Sequence, residues 1–142
     1  MSINLKQNAD ASCGVQGTDG DDGPFVFMNL SWVPTSVDLP VVVVPRRCIV
    51  KGIIARVEVA GTDGSAVTAV VKKAASGTAL ASGTALHSGT INLKGTAATN
   101  QVLTLSASPS DLDIPAGTAL TIDFTGTLTS ATGVVSVAMA PA

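Results

Sequence analysis

Hydrophobic and polar residues alternate along much of the chain with a period of two, which is typical of half-buried β-strands. Between positions 26 and 32, the apolar residues Val26, Met28, Leu30 and Trp32 occupy every second position, and Pro34 ends the run. A β-branched run follows at 39–44, with Pro40 inside it. Because proline cannot donate a backbone hydrogen bond, this second strand is predicted at an edge or at a strand start.

The longest predicted strand covers residues 48–60. Its apolar face is predicted to contain Ile49, Ile53, Ala55, Val57 and Val59, while Arg56 and Glu58 lie on the other face. Lys51 interrupts the apolar face, and the neighbouring Gly52 marks the position of a bulge or bend. The turn signal at 61–64 and the strand pattern at 65–73 predict an antiparallel hairpin with this strand.

Gly-Thr pairs recur at a spacing of six in the middle of the chain, at positions 77, 83, 89 and 95. A six-residue period is also found in the rungs of left-handed β-helices. Because the repeat covers few units and does not continue into its flanks, short strands joined by glycine turns are the preferred interpretation. Further strands are predicted around residues 103–105, 120–124 and 135–139.

About eight short strands without helical periodicity predict an all-β protein, an antiparallel β-sandwich that is jelly-roll-like. The sandwich domain is expected to span residues 25–142. Residues 1–24 are rich in Asn, Asp, Gly, Ser and Gln and have no apolar period, so we expect an extended N-terminal arm. This segment does not have the apolar run of a signal peptide.

The composition narrows the possible functions. Only 13% of the 142 residues are charged, 3% are aromatic, and eight Lys and Arg against ten Asp and Glu give a net charge of −2. A nucleic-acid partner is therefore not expected. One His and one Glu offer little acid–base chemistry, so neither an enzyme nor a bound cofactor is expected. No apolar run approaches the roughly 20 residues that cross a membrane.

Two cysteines and one basic cluster are the candidate site residues. Cys13 and Cys48 are too few for a structural zinc site. They are predicted either to be small buried hydrophobic residues or to form one disulfide within or between chains. Arg46, Arg47 and Lys51 follow Pro45, and one of the arginines could pair with a carboxylate on a partner chain. The alternative is a solvated strand start.

The carboxylates offer two weaker candidates. Asp19, Asp21 and Asp22 alternate in a Gly-rich loop that could bind calcium, although a solvated acidic loop is the preferred interpretation. Asp111 and Asp113 have the spacing of a carboxylate pair, but their context favours turn capping.

His87 is the only imidazole in the chain, and no acid lies in its neighbourhood in the sequence. A catalytic triad could therefore be assembled only across the fold. We therefore expect His87 to be a polar residue on a loop.

Three segments together resemble a known class of protein: the stretch from Val44 to Gly61, the Ser-Gly-Thr-Ala-Leu repeats, and the stretch from Leu112 to Gly126. They resemble small capsid decoration (cement) proteins of tailed bacteriophages, over about residues 34–141. The resemblance implies a β-sandwich on the outer capsid surface of the virion, made in the host cytoplasm, commonly as a homotrimer. Its implied partner is the major capsid protein, whose neighbouring subunits it would clamp. The resemblance implies no role for any individual residue.

The first hypothesis is therefore a structural virion protein, with the N-terminal arm as part of the clamp. The alternative is a carbohydrate- or receptor-binding module of a phage fibre or surface adhesin. That function requires exposed aromatic side chains, such as Trp32, or a calcium site.

Overall fold

The computed structural model describes residues 26–34 and 39–142, which form ten strands in two antiparallel sheets. The strands are β1 (Val26–Trp32), β2 (Leu39–Val43), β3 (Cys48–Val59), β4 (Thr68–Ala74), β5 (Thr84–Ala85), β6 (Ile91–Asn92), β7 (Thr99–Val102), β8 (Asp113–Ile114), β9 (Ala119–Thr125) and β10 (Thr132–Pro141). Sheet A has the order β1-β10-β3-β7, and β8 also pairs with β3. Sheet B has the order β2-β9-β4-β5, and β6 also pairs with β4.

The inward faces of both sheets form one hydrophobic core. Sheet A contributes Ile53, Val57 and Val137, and sheet B contributes Val71 and Leu120, all at most 1% exposed. Small β-branched side chains fill the space between the pleated surfaces, as their abundance in the sequence predicts. The predicted all-β antiparallel sandwich is thus confirmed. The jelly-roll arrangement stays a prediction, and the predicted arm at residues 1–24 lies outside the described residues.

A β-bulge in β3 changes which residues face the core. Val50 pairs with Met139 and Gly52 pairs with Ala138, so that Lys51 has no partner on β10. The extra residue reverses the inward and outward alternation, because successive side chains of a strand point to opposite faces. Val50 is therefore buried together with Ile53. The bulge predicted near Gly52 is confirmed, but the prediction that Ile49 shares the buried face was wrong, as was that for Val59, which is exposed.

The predicted hairpin of residues 48–60 and 65–73 was wrong, because β3 lies in sheet A and β4 in sheet B. The turn between them crosses from one sheet to the other. Its backbone is held by other segments: Gly61 N–H donates to the Leu93 carbonyl at 2.8 Å and Thr62 N–H to the Thr129 carbonyl at 3.0 Å. A glycine-rich turn permits both connections, and these distant contacts select the crossover.

The Gly-Thr repeats form short strands and turns, as predicted. β5 and β6 have two residues each and pair with different parts of β4. Gly77 and Gly89 adopt φ values of +85° and +69°, which glycine tolerates because it has no Cβ. The repeat therefore supplies turns at regular intervals.

Helical structure in the described residues is short. It consists of a 3-10 turn at Leu80–Ser82 and the single turn α1 (Pro109–Leu112). Within residues 26–34 and 39–142, no helix has the length and apolar character needed to span a membrane.

Candidate interaction surface

The outer faces of the two sheets differ in what covers them. On sheet B, the 3-10 turn contacts β4 and β9. Lys72 on this face donates a hydrogen bond to the Ala81 carbonyl at 2.7 Å and forms an ion pair with Asp123. On sheet A, by contrast, Ile54 is 45% exposed and Val102 is 77% exposed. These two residues are the centre of a surface that we call the sheet A face.

The pairing of the strands defines the sheet A face. Ile54 of β3 is the register partner of Val102 on β7 and of Ser136 on β10, which in turn pairs with Asn29 of β1. These four residues form one row across the sheet, because register partners project on the same side. The row is apolar at β3 and β7. At the β1 side it is polar, where Ser136 Oγ donates to Asn29 Oδ1 at 2.7 Å.

The row is flanked by small residues on one side and by a pair of opposite charges on the other. On one side lie Ala138 and Gly52, and a Cβ built on Gly52 would meet no atom within 4 Å. On the other side, Arg56 donates to Glu58 at 2.8 Å, so the positive and negative charges compensate each other. An apolar centre with a polar rim is the usual anatomy of a protein–protein interface.

Ile54 and Val102 were not among the residues that the sequence pattern predicted to form a site. A signal for Ile54 was present, because it falls among Arg56 and Glu58 on the face predicted to be polar. Val102 precedes the strand predicted at residues 103–105, and only the pairing of β3 with β7 brings it beside Ile54.

The three residues of the basic cluster, Arg46, Arg47 and Lys51, have different surroundings in the structure. Arg47 makes two hydrogen bonds of 2.9 Å to the Asp113 carboxylate, and these lower the pKa of Asp113 below its ordinary value. The carboxylate thus comes from the same chain. Arg46 and Lys51 are exposed, and within the described residues neither side chain has a hydrogen bond or ion pair. Their predicted contact with a partner chain stays a prediction.

A groove of about 450 Å³ lies beside the Arg47–Asp113 pair. Its apolar lining comes from Ile49, Pro109 and Leu112. Because the two charged groups satisfy each other, the groove presents mainly apolar surface.

Cys48 is buried, as one of the two predictions for the cysteines requires. Its Sγ donates a weak hydrogen bond to the Arg46 carbonyl at 3.4 Å. Cys13 lies outside the described residues, so the disulfide between the two stays a prediction.

His87 lies between β5 and β6, outside the named strands, as the expected loop position requires, but it is a buried structural residue. It is 4% exposed and forms a β-bridge with Leu105. Its Nε2 accepts a hydrogen bond from the Val71 backbone N–H at 3.0 Å, and its Nδ1 lies 3.1 Å from the Ser88 carbonyl. Nε2 must therefore carry the lone pair and Nδ1 the proton. Burial lowers the pKa of His87, since the charged ring would lose its hydration.

The stability of the protein is expected to fall as the pH decreases below about 6.5, the pKa of an unfolded histidine. In this range the unfolded chain binds a proton that folded His87 resists, so acid favours unfolding, with a limiting slope of about 1.4 kcal/mol per pH unit. Urea unfolding between pH 5 and 8 measures the effect. His87→Gln, whose side-chain oxygen can accept from Val71 N–H, is the control and should lack this slope. Equal slopes in both proteins would contradict the assignment.

The described carboxylates do not form a metal site. Asp111 accepts a hydrogen bond from Ser106 Oγ at 2.5 Å, and Asp113 is held by Arg47. Within the described residues, both carboxylates accept from side chains and neither accepts from a backbone N–H, so the predicted capping of a turn was wrong. Among the residues that the structure describes, no group of three His, Cys, Asp or Glu side chains could hold a metal ion. Asp19, Asp21 and Asp22 lie outside those residues.

Comparisons with known proteins returned no relative. No protein family matches the chain, and neither a curated protein nor a solved structure is similar to it at a significant level.

Proposed function

We propose that the protein is a structural component of a tailed-phage virion, which binds the outer surface of the capsid and stabilises contacts between major capsid subunits. The observation that carries this proposal is the sheet A face, an exposed surface with Ile54 and Val102 at its centre. Such a surface suits docking on another protein, because covering the two apolar side chains removes them from water.

The polar side chains of the described residues support the same function. The His87 ring accepts a hydrogen bond from the Val71 backbone, and Asp113 and Asp123 form ion pairs with Arg47 and Lys72. These groups stabilise the sandwich and its loops. None of these three side chains is free to bind a partner, whereas Ile54 and Val102 on sheet A are exposed.

A Val102→Lys variant is expected to bind phage heads at least ten-fold more weakly, because docking would bury an unpaired charge. Val102 is 77% exposed, so the substitution leaves the core unchanged. Co-sedimentation with heads from the phage that encodes the chain, stripped of this protein, gives the affinity.

Val43→Lys is the matched control. Val43 is also exposed, at 58%, but lies on β2 of sheet B. This variant should bind the heads with the affinity of the unmodified protein. The proposal is contradicted if Val102→Lys binds equally well, or if Val43→Lys weakens binding to the same degree.

The proposed clamp at the N-terminus is tested in the same assay. A chain without residues 2–23 is expected to lose binding to the heads while its circular dichroism spectrum keeps the β signature of the sandwich. If the truncated chain binds the heads as tightly as the full chain, the N-terminal arm does not contribute to binding.

The alternative of a carbohydrate-binding module receives no support from Trp32. Its side chain is only 2% exposed and cannot act as a platform for a sugar ring. Phe124, the other aromatic side chain that the structure describes, packs partly buried against the core.

A further inference from the structure

The edge strands of the two sheets differ in how they are protected against pairing with another chain. Exposed edges are commonly blocked by proline, charge, a bulge or short length. β2 contains Pro40 and a register shift between Pro40 and Val42. β5, β6 and β8 have two residues each, and β7 has four.

β1 has none of these devices. It pairs with β10 over all seven residues, from Val26 to Trp32, without a register shift. It contains no proline and no charged residue. Within the described residues, no strand pairs with its other side. Among residues 26–34 and 39–142, β1 is therefore an unbroken edge whose outward backbone donors and acceptors no other strand uses.

We propose that β1 pairs antiparallel with β1 of a second copy of this chain, around a two-fold axis at Asn29. The neutral edge favours this occupant, because a strand without charge meets its own copy without repulsion and offers no counter-charge to a charged segment. A two-fold contact needs a surface that is complementary to itself, and a uniform antiparallel edge meets this condition.

The pairing follows from the register. Asn29, the central residue of β1, lies opposite Asn29 of the second copy, and Ser31 lies opposite Phe27 of the second copy. Alternate residues of an antiparallel edge direct both backbone groups outward, so the contact gains about six hydrogen bonds. The two A sheets become one continuous sheet, and the two sheet A faces lie side by side.

This inference does not depend on binding to phage heads, because the mass of the free protein is sufficient to test it. Light scattering after gel filtration should give twice the chain mass at micromolar concentration. Asn29→Lys should shift the protein to the monomer, with a dissociation constant raised at least ten-fold, because two lysines would meet at the axis.

Ser136→Lys is the matched control. It adds the same charge to the same side of sheet A and removes the same Asn29–Ser136 hydrogen bond, but it lies on the inner strand β10. This variant should remain a dimer. Asn29→Glu alone should be a monomer, and an equimolar mixture of Asn29→Lys and Asn29→Glu should recover the dimer through the opposite charges.

Several results would overturn the proposal. A monomeric protein whose outward-directed β1 amides resist hydrogen exchange would show that residues 1–25 of the same chain cover the edge. A monomer in which these outward amides exchange would show that the edge stays open. A trimer, the state that the resemblance implies, with a mass unaffected by Asn29→Lys would place the contact elsewhere. If Ser136→Lys also dissociates the dimer, the contact between the two copies lies on the sheet A face. If the mixture of Asn29→Lys and Asn29→Glu stays monomeric, a two-fold axis at Asn29 is excluded.

Discussion

Gly133→Ala is expected to lower the free energy of unfolding by about 3 kcal/mol, although it adds a single methyl group. Gly133 lies opposite Trp32 on the neighbouring strand. A Cβ at this position would lie 2.3 Å from Trp32 Cζ2 and 2.3 Å from the Arg56 carbonyl oxygen. Both distances are far shorter than a van der Waals contact, and the carbonyl belongs to the β3 backbone. Neither contact is relieved without moving a strand or the buried indole.

Gly52→Ala is the control for this prediction. Gly52 also lies in sheet A, but a Cβ built there meets no atom within 4 Å. Its free energy of unfolding should change by less than about 0.5 kcal/mol, which is usual for substitutions away from packed features. Urea unfolding followed by circular dichroism measures both variants. A loss of less than 1 kcal/mol in Gly133→Ala would show that the strands separate easily at this position.

Trp32→Ala is expected to lower the free energy of unfolding by about 3–5 kcal/mol, the usual cost of removing a buried aromatic side chain. Trp32 belongs to sheet A and contacts Phe124 of sheet B edge to face, with 6.5 Å between ring centroids. The indole thus connects the edge strand β1 to the opposite sheet. Loss of this contact should release the end of β1 as well as leave a cavity.

Trp32→Phe separates the loss of packing from the loss of the polar group. Within the described residues, the buried Trp32 Nε1 has no hydrogen-bond partner. Phenylalanine keeps an aromatic ring and removes this unsatisfied donor, so the expected loss is only about 1 kcal/mol. The same urea unfolding experiments apply. Equal losses for Trp32→Ala and Trp32→Phe would contradict a role of ring packing.

The two sites are also expected to be coupled. In a Trp32→Ala background, Gly133→Ala should cost less than it does alone, because one of its two clashes has been removed. The contact with the Arg56 carbonyl remains, so the cost should not vanish. Additive losses would show that the indole had already moved in the single variant.

The candidate surface could be predicted from the sequence only in part. Ile54 was visible as an apolar residue on a polar face, but its neighbour Val102 is 48 positions away, and their pairing depends on how β3 and β7 meet. Arg47 was visible as a charged residue suited to a carboxylate. Its partner Asp113 is separated from it by 66 positions, and local sequence does not specify such a pairing.

Three features could be predicted from the sequence: the all-β class, the bulge near Gly52 and the glycine turns of the repeats. They are predictable because alternation, proline and glycine act locally on the backbone. Contacts between distant segments determine which strands share a sheet, and hence that the turn at 61–64 is a crossover. The burial of His87 also depends on tertiary contacts, because its ring accepts a hydrogen bond from the Val71 N–H, which belongs to β4. The low charge of the chain already argued against a nucleic-acid partner. Among the residues that the structure describes, β1 is left as a sheet edge and sheet A keeps an exposed face. Both features follow from the pairing of distant strands, because long-range pairing determines which backbone groups and side chains remain uncovered.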